Sequence, residues 1–211
     1  MRSTLLLLAA AGARLVTAKT VLAHFMVQES YAYTVAEWKS DIAMAQQIGI
    51  DGFALNWIPP DCTSGLDWMV DRIDKAYSAA SGTGFKLMHS FDMSYSSCDN
   101  NAFWNQTFMQ SMITKYASNT AQLTWNGNIL VSTFGGDTVS QYGESFFEAL
   151  KSDLKSSGHS ITLAPALTSY SEDAQADNGS SEAPAFVDSF PSADGFLNCM
   201  YNFASINKCG H

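Results

Sequence analysis

Lys86-Leu87-Met88-His89-Ser90-Phe91-Asp92 opens on a cation, closes on an acid and is largely apolar between them. Its length suits a strand, and the alternation of strand side chains puts Met88, Ser90 and Asp92 on one face and Leu87, His89 and Phe91 on the other. Asp92 can then face the mouth of a sheet, while His89 packs outward against a helix. Upstream lie two similar runs: Gly52 to Trp57, closed by Pro59-Pro60-Asp61, and Val21 to Val27, interrupted by His24. Downstream lie Ile129 to Thr133 behind Asn126-Gly127, then Ile161 to Leu167 and Gly195 to Asn198.

Helical periodicity fills the intervals. Thr34 with Glu37 forms a capping pair ahead of Trp38, Ile42, Ala45 and Ile48, and Gly49 stops that helix. Leu66, Met69, Val70, Ile73 and Tyr77 mark a second helix ending by Gly82. Phe108, Met112, Ile113 and Tyr116 mark a third over Phe103 to Ala117, and Phe146, Phe147, Leu150 and Leu154 a fourth ending near Gly158. Alternating strands and helices imply an α/β fold on a parallel sheet, either doubly wound or closed as a (β/α)8 TIM barrel. No glycine-rich fingerprint follows the first strand, so the barrel is the expectation.

The 211 residues carry 11 Lys plus Arg against 20 Asp plus Glu, a net charge of -9 that argues against phosphate backbones and anionic membranes as partners. Arg2, the apolar run Leu5 to Ala11 and the small residues Val16-Thr17-Ala18 have the pattern of a secretory signal over residues 1–18. Its removal leaves 193 residues with a net charge of -11. Barrels of this type take about 250 residues. About six βα units fit, so an incomplete barrel with open strand edges is expected. A secreted, extracellular or wall-associated location makes disulfides and N-glycans possible. Cys62 and Cys98 fall in loops after adjacent strands, a reasonable place for a bridge, and Asn105 and Asn178 head Asn-x-Ser/Thr sequons.

Ligands of either α/β architecture bind at the carboxyl ends of the strands, which here supply His24, Asn56, Asp61 and Asp92. Carboxylates and an amide beside Trp57, Phe91 and Phe134 suit a sugar, which needs hydrogen-bond partners for its hydroxyls and flat surfaces for its apolar faces. The competing readings are a turn residue for Asp61, a loop cap for Asp92 and a core histidine for His24. A metal shared by His24 and Asp92 lacks further ligands of suitable spacing, so neither metal nor cofactor is expected. No Gly-x-Ser-x-Gly elbow supports an acyl-transfer triad.

Taken in order, Ala23-His24-Phe25-Met26-Val27, Asp41-Ile42, Gly49-Ile50-Asp51-Gly52-Phe53-Ala54-Leu55-Asn56, Phe85-Lys86-Leu87, Ser90-Phe91-Asp92 and Val131-Ser132-Thr133-Phe134 resemble glycoside hydrolase family 71, the fungal α-1,3-glucanases or mutanases. The likeness spans about residues 20 to 198, and residues 19–198 are read as the N-terminal part of that family's catalytic barrel. It implies an α-1,3-glucan polysaccharide partner and hydrolysis with inversion, with His24, Asn56, Asp61 and Asp92 positioning substrate. Inversion needs an acid and a base about 6.5–9.5 Å apart. The family's late Trp-Asn-Asp-x-Gly-Glu motif, which would supply them, is not in this sequence, so no catalytic residue is assigned. Past Asn198, Cys199-Met200-Tyr201 departs from the family's Trp-x-x-Trp-Pro stretch, and residues 199–211 read as an unrelated tail such as a retained intron would encode. The expectation is an inactive fragment. A non-catalytic glucan binder, or a different barrel enzyme using Asp61 and Asp92 as its own acid and base, are the alternatives.

Overall fold

The computed structural model describes residues 20–59, 67–94, 104–136, 139–166 and 188–195. In chain order the elements are β1 (Leu22–Met26), α1 (Val35–Gln47), β2 (Gly52–Trp57), α2 (Asp67–Ala80), β3 (Lys86–Asp92), α3 (Gln106–Lys115), β4 (Thr124–Trp125), β5 (Asn128–Phe134), α4 (Glu144–Ser156) and β6 (Ile161–Leu163). Strands β1, β2, β3, β5 and β6 pair side by side and in parallel, as the strand and helix alternation predicts. Residues 1–18, Asp61, Cys62, Cys98, Asn178 and 199–211 lie outside the described residues.

The strand and helix pattern holds closely, with four differences. Asn126 and Gly127, read as preceding a strand, form the two-residue turn of a β4–β5 hairpin, with φ of 51° and 82°. The chain entering that turn wedges between β3 and β5 at their amino ends. There the Leu123 amide donates to the Leu87 carbonyl at 2.8 Å, and the Leu130 amide donates to the Leu123 carbonyl at 3.0 Å. Ile48, the residue after the last helical one, is 77% exposed, and Gly49 at φ 83° turns the chain away. The fifth parallel strand proper is short, ending at Leu163, although its bonding to β5 runs on: the Ala164 amide donates to the Val131 carbonyl and the Ala166 amide to the Thr133 carbonyl, each at 2.9 Å, and Ala166 bridges to Phe134. Gly195 lies in no strand, and residues 196–198 of the expected sixth strand lie outside the described residues. The chain does reach the outer edge of β6: the Asp194 amide donates to the Leu163 carbonyl at 2.8 Å, while the Asp194 carboxylate accepts from the Leu163 amide and from Lys151.

The two faces of the sheet differ in what covers them. Phe53, Leu55, Trp57, Leu87, Phe91, Val131, Ile161 and Leu163 face the helices and pack with Trp38 and Ile42 of α1, Met69, Ile73 and Tyr77 of α2, Met109 and Ile113 of α3, and Phe147, Leu150 and Leu154 of α4. The inner face mixes small residues, Gly52, Ala54, Ser90 and Ser132, with larger ones, among them His24, Met88 and Phe134. That face is concave: the rings of His24 on β1 and Phe134 on β5 lie 5.8 Å apart at their centroids. A flat sheet would separate strands three places apart by about 14 Å.

The β3 and β5 loops are locked together at the carboxyl ends of the strands. The Met93 amide donates to the Phe134 carbonyl at 2.8 Å, and the Gly135 amide to the Ala166 carbonyl at 2.7 Å. Gly135 and Gly136 take φ of 62° and 97°, and a Cβ on Gly136 would stand 2.6 Å from Met93 Cβ. Gly136→Ala is therefore expected to cost about 1–3 kcal/mol in urea denaturation. Gly195→Ala, which meets nothing within 4 Å, should stay within about 0.5 kcal/mol.

His89 packs against Trp57, Tyr77, Phe91 and Tyr116 on the helix side, as the alternation predicts. Neither ring nitrogen has a hydrogen-bond partner. Burial pushes its pKa down to about 4, opposed by the nearby Met112 carbonyl, which does not reach hydrogen-bond geometry. The unfolded chain takes up this proton near 6.5 and the folded chain near 4, so the stability His89 permits is complete above 6.5 and falls as pH drops toward 4. Replacing His89 with Phe in this aromatic nest should leave stability at pH 7 equal or higher. At pH 4.5 the variant should exceed the wild type by roughly a further 2–3 kcal/mol; an equal gap at both pH values would contradict the assignment.

Candidate functional site

The ladder register decides which strand-end side chains meet. Met26 pairs with Asn56, Asn56 with Ser90 and Ser90 with Ser132, and one inward step further Asp92 pairs with Phe134. His24 lies one inward step below Met26, level with Ala54 and Met88. His24, Asn56 and Asp92 thus share the concave face.

Asp92 is held from both ends of the residue. Its Oδ1 accepts from the Ser94 amide at 3.1 Å and the Ser94 hydroxyl at 2.7 Å, an Asx turn built into the loop. Its carbonyl accepts from the Trp104 indole at 2.7 Å, and the Trp104 amide in turn donates to the Tyr142 hydroxyl at 2.6 Å. Burial pushes the Tyr142 phenol up to about 12, against the Trp104 hydrogen bond, so it stays protonated. Asp92 is 7% exposed and sits at the carboxyl rim. It therefore fills both the loop-cap role and the strand-end position, two roles that residue order alone leaves as alternatives.

Asn56 is 1% exposed and lies beneath that rim, its Nδ2 without a partner. His24 is half-buried, and its Nε2 likewise has no partner. Desolvation lowers its pKa below 6.5, which keeps the imidazole neutral at ordinary pH. Trp57 and Phe91, expected beside the sugar, are fully buried on the helix side. Each is one residue removed from an inward residue, Asn56 or Asp92, so the same alternation turns it away. Of the three aromatic residues expected at the site, Phe134 is the one the described structure places on the inner face.

Ser94, Trp104 and Tyr142 are the supporting residues that motif reading missed. Ser94 was detectable as an Asp-x-Ser turn; the contacts of Trp104 and Tyr142 join loops 38 residues apart and leave no local signal. Among the described strand residues Asp92 is the sole inward carboxylate, so no acid and base are brought together there. Nor do the described residues contain a cluster of three His, Cys, Asp or Glu able to hold a metal. A cavity of about 440 Å³ lined by Asn128, Lys151, Lys155 and Asp194 opens at the amino ends of β5 and β6, away from these strand ends. The concave face is thus suited to holding a polyhydroxylated ligand rather than to proton transfer by its described residues alone.

Among proteins of known function, the chain is 37% identical over 189 residues to a glucan endo-1,3-alpha-glucosidase of Schizosaccharomyces pombe, covering 85% of this chain and 41% of that protein. It is 30% identical to an ascus wall endo-1,3-alpha-glucanase of the same yeast, covering 87% of this chain and 38% of that one. A mutanase of Penicillium rubens is 37% identical over 57% of this chain and 25% of its own length. The chain therefore spans about two fifths or less of the relatives it matches. A solved glycoside hydrolase-like protein shares the fold with a TM-score of 0.56 at 10% identity, over 81% of this chain and 63% of that one. The model of glycosyl hydrolase family 71 matches residues 17–200, across the curved sheet and its strand-end polar residues, and the chain belongs to that family.

Proposed function

We propose that this chain is the substrate-holding, amino-terminal arc of a (β/α)8 glycoside hydrolase barrel, exported from the cell and directed at α-1,3-glucan. The observation that carries this reading is the inward set of Asn56, His24 and Asp92 on a concave sheet of family 71. The curl also supports a barrel. His24 is level with Met88, whereas Phe134 is level with Asp92, an offset of four residues across three strand steps. A barrel of shear 8 advances about one residue per strand.

Chemically, Asp92 accepts from sugar hydroxyls at the rim. His24 offers a neutral nitrogen, and Asn56 offers a donor whose unpaired burial costs about 1–3 kcal/mol until a water or hydroxyl reaches it. Phe134 supplies an apolar surface for a ring face. Asp61 and a Cys62–Cys98 bridge at the rim belong to the same proposal. Inverting hydrolysis needs a second, suitably spaced carboxylate. The Trp-Asn-Asp-x-Gly-Glu motif that supplies the pair in the family is not among these 211 residues. Export rests on the signal-like residues 1–18 and on the ascus wall endo-1,3-alpha-glucanase among the relatives. Among the described residues no helix is long and apolar enough to cross a membrane.

Incubated with insoluble α-1,3-glucan, the 211-residue chain is expected to sediment with the polymer and to release no reducing sugar above the blank. Asp92→Asn should weaken that association about 10–100-fold, the cost of a lost hydrogen bond to a charged group. Reducing sugar released by the chain, and abolished in Asp61→Asn, would instead favour an enzyme with its own acid and base. Equal sedimentation with β-1,3-glucan would contradict the substrate assignment.

A further inference from the structure

Asn105-Gln106-Thr107 lies where the loop after β3 enters α3, at the same end of the sheet as Asp92. Asn105 is the N-cap of that helix: its Oδ1 accepts from the Phe108 amide at 3.1 Å. Asparagine caps a helix with its oxygen alone, so the amide nitrogen is not used by the cap. Asn105 is exposed, its Nδ2 makes no hydrogen bond, and Thr107 is exposed as well. Next to it, Trp104 is anchored through its indole to the Asp92 carbonyl, which fixes this position relative to the candidate site. Gln106 is tied to the Phe146 carbonyl at 2.7 Å, so the start of α3 is fastened on both sides while Asn105 itself stays exposed.

We infer that Asn105 is an N-glycan attachment site at the rim of the substrate cleft, and that the glycan and the helix cap use different atoms of one side chain. The inference rests on the reading of this chain as an exported protein. In the transfer, Nδ2 loses a proton and bonds to the anomeric carbon of an oligosaccharide carried on a lipid pyrophosphate. The bond from that carbon to the phosphate oxygen breaks, and the lipid pyrophosphate leaves. The cap oxygen takes no part, so the helix start survives modification, and the oligosaccharide projects beside the Trp104 anchor rather than over the helix-packed face.

The test places the full chain behind a proven yeast export leader and maps peptides from the endoplasmic reticulum membrane fraction and the medium. The peptide containing Asn105 should carry an N-glycan mass that an asparagine-amidase removes, leaving aspartate. Thr107→Ala and Asn105→Asp should each lose that mass. Both variants should keep the wild-type far-UV circular dichroism, because Thr107 is outside the cap and aspartate caps as well as asparagine. Asn105→Gln should lose the mass and also lower the melting temperature. Translocated chain with an unmodified Asn105 peptide overturns the inference. A parallel experiment with residues 1–18 as the leader tests export separately: glycosylation behind the yeast leader but not behind residues 1–18 removes the export reading and leaves Asn105 a competent site.

Discussion

Small side chains on the inner face of a parallel sheet are the constraint from which the remaining geometry follows. Gly52 meets the Lys86 carbonyl so closely that a Cβ would lie 2.4 Å from that oxygen and 2.9 Å from Leu22 Cδ2. On the same face Ala54 is level with His24 and Met88, and Ser90 and Ser132 are level with Asn56. Beside these short side chains the buried Met88 fills the interior, and His24 and Phe134 come within ring contact across β2 and β3. The bulk that a narrow interior excludes is placed on the other face, where Trp57, Phe91, Trp104 and Phe108 interlock with edge-to-face and tilted contacts. Curvature and helix packing are two results of one period-two pattern.

The order of elements was legible because each interior strand is a short apolar run with its own boundary residues. The limits Gly52–Trp57 and Lys86–Asp92 agree with the structure at both ends. Residues read by helical period are buried as expected inside α1, as Trp38, Ile42 and Ala45 are, whereas one residue past a helix end the outcome depends on the neighbours: Ile48 is exposed and Tyr116 is buried. The hairpin before β5 was hidden because its partner strand is two residues long and contributes no periodicity of its own. At the site, alternation correctly grouped Ser90 with Asp92 and turned His89 outward. Applied to Trp57 and Phe91, the same rule removes them from the cleft, so a list of strand-end aromatics overstates the stacking surface. The anchoring of Asp92 by Trp104 and Tyr142 was beyond sequence reading because it depends on loops meeting in space.

The site combines rigid backbone with incompletely paired side chains. Asp92 is fixed through its carbonyl and through Ser94, and the Gly135-Gly136 turn holds the neighbouring loop against Met93. Below that fixed rim, Asn56 and His24 each retain a buried nitrogen without a partner. Unpaired polar atoms are unfavourable for folding alone and favourable where a ligand rich in hydroxyls completes them. Under the proposed function that ligand is α-1,3-glucan.

The inward curl is tested most directly by the distance between two side chains that a flat sheet would keep apart. In the isotopically labelled chain, aromatic nuclear Overhauser spectroscopy should show cross-peaks between ring protons of His24 and Phe134, whose centroids lie 5.8 Å apart, and Phe134→Leu should abolish them. A folded chain that lacks these cross-peaks while keeping those between His89 and Phe91 would have its β-sheet but not the concave face, and the account of the site built on that face would be wrong.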